Sequence, residues 1–540
     1  MAVYWEASMK RMLLISTMMG AAAYGQATYE AEPFIEGTGL HCIHGLTFDA
    51  DDNLYVGSVV GQSVYRVDTK TGRHEVVVGP NDGLADDMEF GPDGALYYTS
   101  IIQGAVRRWD RDGTVSTVAK GKPGFNSIAF NAEGRLFSAE VFLGDALYEI
   151  DPKGEKPLRT ILEGQGGLNG FDFGPDGKLY GPLWFKGQVV RVDVDSGKLD
   201  VVADGFGTPA AANFNSKGEL FVLDSKRGDI VKVNIKTGAK ETVFKLKTAM
   251  DNLAFDSQDR MYVTVMSESA IYEIDLEAGK ARAVRSDPLG VPADLAIWKD
   301  GDRETVYVAD TFALRSFDVA TGAITDIARF VETDLHYPTG IDVTAEFIHT
   351  VSFNAGAAQT FNRKTGELIA THDGLAGSMD VAAHHDGSLL VTLLVGGKLE
   401  RIATDGTRST VVEGLAAPVG IAVDQIGQVF VSEWASGNLV QIDLETGEKK
   451  VVASGLNKPE GIAIGGLGRI LVSDTGTQSV VAIFLATNTR ATLATDIPMG
   501  LGVTPQFPPM GVPTGVVAAS DGSLFVSADI TDSIWRITKQ

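Results

Sequence analysis

Gln165-Gly-Gly-Leu-Asn-Gly-Phe-Asp-Phe-Gly-Pro-Asp-Gly-Lys-Leu-Tyr-Gly-Pro-Leu-Trp184 reads as a strand, a tight Pro-Asp-Gly turn and a second strand, with Asn169 leading into the first. The same pattern recurs along the chain. Taking the apolar residue before each turn as a marker, the first half gives Phe48, Phe90, Phe130, Phe173, Phe214 and Phe255, spaced by 42, 40, 43, 41 and 41 residues. The second half continues with Ile297, Val343, Ala383, Val423, Ile464 and Ala518, at intervals of 42, 46, 40, 40, 41 and 54. Twelve repeats of this period imply propeller blades or a solenoid.

Each repeat resolves into four strands. Residues 419–453 show them: Val419-Gly-Ile-Ala-Val423, Gln428-Val-Phe-Val-Ser-Glu433, Asn438-Leu-Val-Gln-Ile-Asp443 and Lys449-Lys-Val-Val-Ala453, with Gly, Asp and Asn turns between them. A solenoid would repeat at shorter intervals, so the pattern predicts an all-β fold of four-stranded propeller blades. Propellers usually close with four to eight blades, so twelve predict two tandem six-bladed β-propellers, 28–278 and 279–540. The outer-type strand Glu32-Pro-Phe-Ile-Glu36 is expected to open the first ring. Ala281-Arg-Ala-Val284 is expected to open the second, with the boundary at Glu277-Ala-Gly-Lys280.

Composition sets bounds. Hydrophobic content of 44% and charged content of 21% describe a folded chain. A net charge of -24 argues against nucleic acid or an anionic membrane as partner, and suits both cation binding and plain solubility. The single cysteine, Cys42, excludes an internal disulfide framework and a multi-cysteine metal site. Lys10-Arg11, the apolar run Met12–Tyr24 and the small-residue end Gly25-Gln-Ala27 form a secretory signal pattern. Residues 1–27 are therefore expected to be removed, and the protein to be periplasmic or secreted. The alternative is an amphipathic extension. No other run reaches the ~18 apolar residues of a membrane span.

Antiparallel succession places the loop leading into strand one and the loop leaving strand two on the same face. In the first ring the lead-in positions are His44, Asp86, Asn126, Asn169, Ala210 and Asp251, and the exits add Glu140, Trp184, Asp224 and Met266. In the second ring the lead-ins are Ala293, Thr339, Met379, Val419, Glu460 and Thr514. Carboxylate and amide oxygens around a propeller axis suit a hard divalent cation of the calcium type. The competing reading is that Asp and Asn simply cap turns.

Phe125-Asn-Ser-Ile-Ala-Phe130, Leu168–Gly177 and Met250-Asp-Asn-Leu-Ala-Phe255 resemble the family of senescence marker protein 30 and gluconolactonase, over residues 28–276. The resemblance implies a six-bladed propeller with one divalent metal on its axis. It carries Asn126, Asn169 and Asp251 over as ligands, with Asp86 replacing a first-blade Glu where this chain has His44. It also implies hydrolysis of a small-molecule lactone or ester, with Asp86, His44 or Glu140 as candidate bases. The Asp251-Asn252 pair is similar to the related paraoxonases.

In the second half, Val429-Phe-Val-Ser-Glu-Trp434 and Ile470–Gly476 resemble NHL-repeat and streptogramin-lyase blades. That resemblance implies His336, Glu433 and Glu460 as candidates for a C–O lyase. A non-catalytic double propeller that binds a ligand or protein stands beside both enzymatic readings. The Pro-rich excursion 497–513 leads into a first strand, and reads as a lid, a contact between the propellers or an idle insertion.

Overall fold

The computed structural model describes residues 28–502 and 512–540. The expected signal segment and the middle of the 497–513 excursion lie outside the described residues. No described helix is long and apolar enough to cross a membrane.

Twelve antiparallel four-stranded sheets fill the described chain, interrupted only by three 3-10 turns. Blades one to six span 43–78, 88–120, 125–163, 172–203, 209–245 and 250–285. Blades seven to eleven span 295–329, 340–373, 378–413, 418–453 and 459–494, and the last is built around 516–539. The innermost strand of blade one packs on that of blade six, and blade seven's packs on blade twelve's. Two six-bladed rings result.

The outer strands contradict the expected partition. Tyr29–Ile35 pairs with Ser533–Lys539 and completes blade twelve, so the N-terminal strand belongs to the second ring. Lys280–Arg285 pairs with Ala270–Asp275 and completes blade six. The expected boundary near 278 thus falls inside a hairpin, and the chain passes between rings at 286–294. Ring two is closed by a strand from the far end of the sequence, which gives its last blade a fourth strand. Ring one is built from one continuous stretch.

Neighbouring blades approach closely at their lead-ins. A Cβ on Gly45 would meet the Asp86 carbonyl oxygen at 2.5 Å, and one on Gly515 would meet the Leu295 nitrogen at 2.4 Å. Only glycine admits that approach. A hydroxyl on strand two then holds the next lead-in: Thr99 Oγ1 donates to the Asn126 carbonyl at 2.5 Å, and Thr264 Oγ1 donates to the His44 carbonyl at 2.6 Å across the ring closure. The core is stacked between blades as alternating strand residues predict.

Both axes carry buried or half-buried carboxylates that brace neighbouring blades. In ring one Asp87, Glu89 and Asp172 accept the Ile128, Phe130 and Phe214 backbone N–H groups at 3.2, 2.6 and 2.9 Å. In ring two Asp294, Asp342 and Asp380 accept those of Ile341, Ala383 and Ile421 at 3.1, 2.7 and 2.8 Å. An acidic axis by itself is therefore part of the scaffold here.

The rings meet along blades one and six of the first and blades seven, eight and twelve of the second. Cys42, Ala249 and Met266 of ring one share an apolar cluster with Val291, Phe312, Leu314 and Leu335 of ring two. Arg315, 1% exposed, is paired with Asp310 and with Asp326 (2.7 Å) and donates to the Ser267 carbonyl at 2.7 Å. Arg329 reaches Glu268 at 2.9 Å and Ser267 Oγ at 2.7 Å.

Candidate functional site

The ring-one lead-ins form one connected polar chain. His44 Nδ1 lies 3.1 Å from Asp251 Oδ2 and 3.7 Å from Asp86 Oδ1. Asn126 Nδ2 donates to Asp86 Oδ2. Ser127 Oγ links the two amides, 3.1 Å from Asn126 Oδ1 and 3.2 Å from Asn169 Oδ1. Four of the five candidates are buried and Asp251 is half-buried. His44 and Asp251 are 207 residues apart and meet only because blade six closes onto blade one.

A parallel pair lies one residue further along the same strands. Asn252 Nδ2 donates to Asp87 Oδ1 at 2.8 Å. Sequence reasoning passed over Asp87 and Ser127; the doublets Asp86-Asp87 and Asp251-Asn252 were the available signal, with residues one apart in a strand pointing to opposite faces.

Two carboxylates, Asp86 and Asp251, thus face one imidazole. Burial pushes the Asp86 carboxyl up; His44 opposes the shift and the Asp251 charge adds to it. Burial alone would lower the His44 imidazole, but the Asp251 hydrogen bond and the charges of Asp251 and Asp86 leave it raised. His44 Nε2 is buried and has no hydrogen-bond partner among the described residues.

The excess of negative charge over one imidazole fits a cation, and Asp86, Asp251, Asn126 and Asn169 supply the hard oxygen donors that a calcium-type ion prefers. Among the described residues no three His, Cys, Asp or Glu side chains converge as a ligand cluster, so such an ion would depend on the amides. His44 Nδ1 is committed to Asp251, which leaves Nε2 as the ring nitrogen able to face water or a ligand.

Ring two covers one side. The Phe312 ring meets the His44 ring edge-on with centroids 5.7 Å apart, and Phe312 packs on Tyr337 at 5.3 Å. The Asp251 and Asp86 charges act on Tyr337, after burial, in raising its phenol well above the ordinary value. Neither aromatic was foreseen, because strand patterns do not reveal which loops of one ring reach the other.

Other candidates are placed elsewhere. Glu140 Oε2 accepts the Tyr148 hydroxyl at 2.8 Å inside blade three and makes no hydrogen bond to the polar chain. A Cβ on Gly144 would meet Glu140 Cδ at 2.7 Å, so the loop closes directly over it. Ala210 is buried and leaves blade five without a polar lead-in.

In ring two Glu460 accepts from Thr514 N (2.8 Å), Thr514 Oγ1 (3.0 Å) and Thr475 Oγ1 (3.2 Å). Glu433 is held by Ala416 N, Ser436 and Lys449 at 3.1, 2.7 and 3.1 Å. His336 bonds to neither, so the three lyase candidates do not form one site among the described residues.

Residues 88–308 match the model of the SMP-30/Gluconolactonase/LRE-like region. The family resemblance read from the sequence is borne out over these blades, which include Asp86's neighbours, Asn126, Asn169 and Asp251. No curated protein matches the chain. Among solved structures, a gluconolactonase from Xanthomonas campestris is 17% identical, with TM-score 0.37, covering 46% of this chain and 89% of its own. A streptogramin B lyase is 16% identical, with TM-score 0.33, covering 62% of this chain and 93% of its own. The extracellular domain of a B. thetaiotaomicron protein described as a one component system is 11% identical, with TM-score 0.33, covering 92% of this chain and 74% of its own.

Proposed function

We propose that the chain is a hydrolase of the lactonase or esterase type, exported by its N-terminal segment, with its chemistry on the inter-ring face of ring one. The observation that carries this reading is the Asp251–His44 pair: Nδ1 faces a carboxylate at 3.1 Å while the buried Nε2 has no partner. Asp251 fixes the tautomer in which Nε2 accepts a proton, and stabilises the imidazolium that results.

A water beside Nε2 loses its proton to His44 as its oxygen adds to the substrate carbonyl carbon. His44 then returns the proton to the departing alkoxide. Asn126 and Asn169 orient the substrate with Asp86, and the apolar edge of Phe312 keeps bulk water from His44. Asp86, Asp251, Asn126 and Asn169 would hold a divalent cation of the calcium type, which when bound polarises the carbonyl. The match to the SMP-30/Gluconolactonase/LRE-like region supports the substrate class.

The test is hydrolysis of a panel of lactones and aryl esters, followed by pH-stat. His44→Gln is expected to lower kcat by about 10²–10⁴-fold, while Glu433→Gln in ring two leaves it unchanged. Turnover retained in His44→Gln, or lost in Glu433→Gln, overturns the proposal.

A further inference from the structure

One arc of ring one presents large apolar side chains to solvent. Ile102 is 37% exposed, Phe142 45%, Leu143 61% and Phe185 61%, with Trp184 half-buried among them. All stand in the exit loops of blades two, three and four, the blades whose lead-ins are Asp86, Asn126 and Asn169. The other exits differ. Blade five exposes Lys226 and Arg227. Blades six and one exit beneath ring two, through Ser267 and Glu268 and through Gln62, which donates to the Gly502 carbonyl. The uncovered side of the site is thus also its apolar side.

The arc is held in shape. Phe142 sits at a φ of 66°, a left-handed conformation costly for an aromatic residue. Its ring meets those of Trp184 and Phe185 edge-on at 5.4 and 5.8 Å. Asp145 accepts the N–H groups of Gly166 and Gly167 at 2.8 and 3.0 Å, which fixes the loop under Phe185. A Cβ on Gly167 would lie 2.7 Å from the Phe185 ring, so the ring's seat requires that glycine.

We propose that this arc is an apolar subsite that takes an alkyl chain or aryl ring attached to the reacting carbonyl, so that the substrate is an amphipathic lactone or ester. The inference rests on the hydrolase reading above. Its occupant follows from continuity: each apolar exit belongs to the blade that supplies a polar residue to the axial site. A carbonyl held at the axis therefore has its substituent directed over blades two to four. Exposed aromatics that lose solvent only when a ligand arrives favour longer chains in steps.

The experiment is a kinetic series of γ-lactones of increasing alkyl length, with the hydrophilic glucono-δ-lactone for contrast, on the full chain. Tight binding of γ-dodecalactone alone is followed by calorimetry. KM is expected to fall about two- to fourfold per added methylene, and the Phe142→Ser/Phe185→Ser double variant to flatten that series. Val395→Ser, an exposed apolar residue of ring two, should leave the series steep. A wild-type KM independent of chain length, or a slope retained in the double variant, overturns the inference.

If no lactone is hydrolysed, the hydrolase reading fails by itself. Saturable γ-dodecalactone binding that the double variant loses then still supports the subsite, and its absence refutes it. A dimer of the wild-type chain that the double variant dissolves would make the arc a contact between copies, and would also refute it.

Discussion

The two rings share their blades and their axial braces, yet differ at the six lead-in positions. Ring one places His44, Asp86, Asn126, Asn169 and Asp251 there, and links them by hydrogen bonds from blade to blade. Ring two places Met379 and Val419 in an apolar cluster with Phe353, Leu394 and Trp434, and its one acidic lead-in, Glu460, is saturated by Thr514 and Thr475. The contrast separates scaffold from site. Carboxylates that hold backbone N–H groups occur in both rings, whereas at the lead-in positions a carboxylate faces an imidazole in ring one alone, where Asp251 meets His44. Ring two contributes to that face by covering it, through Phe312 and Tyr337.

The largest expected effect comes from breaking the joint that makes one ring cover the other. Arg315→Ala leaves buried Asp310 without its ion pair and removes the bond to Ser267, which should cost about 3–5 kcal/mol. Chemical denaturation followed by Trp fluorescence measures it, and a loss under 1 kcal/mol would show that the joint does not hold the rings together.

The next effect is one of pH, read at Glu460 of ring two. Burial raises Glu460 to about 8, and the nearby Asp529 charge adds to the shift. The folded ring therefore keeps a proton that the unfolded chain releases near the ordinary glutamate value. This group's contribution to stability is complete below that value and is lost as pH rises toward 8. Glu460→Gln should flatten the fall of Tm with pH between about 5 and 8. An unchanged slope would mean that Glu460 is ionised in the folded protein.

The smallest effect is expected from Thr514→Ala, which removes one hydrogen bond to Glu460 and costs about 1 kcal/mol. Turnover should not change. A loss of activity in this variant would move chemistry to ring two and remove the contrast.

How much of this could be read from sequence depends on distance along the chain. The Phe markers, the Pro-Asp-Gly turns and the strand alternation are local, and they led directly to four-stranded blades. The partition of Tyr29–Ile35 and Lys280–Arg285 was not legible. Both have the amphipathic pattern of an outer strand, and either could pair across either ring closure. The lead-in row was legible as a row, because it recurs at fixed phase, but its pairings were not. His44 meets Asp251 through ring closure, and Glu140 turns back to Tyr148 within its own blade. The Phe312 contact depends on the pose of one ring against the other, which no repeat pattern encodes.

The claim that chemistry and cation belong to ring one is tested most directly by calcium titration calorimetry on three proteins: wild type, Asp251→Ala and Glu460→Gln. The account predicts one calcium site in the wild type and in Glu460→Gln, and none in Asp251→Ala. Calcium binding retained in Asp251→Ala but lost in Glu460→Gln would contradict it.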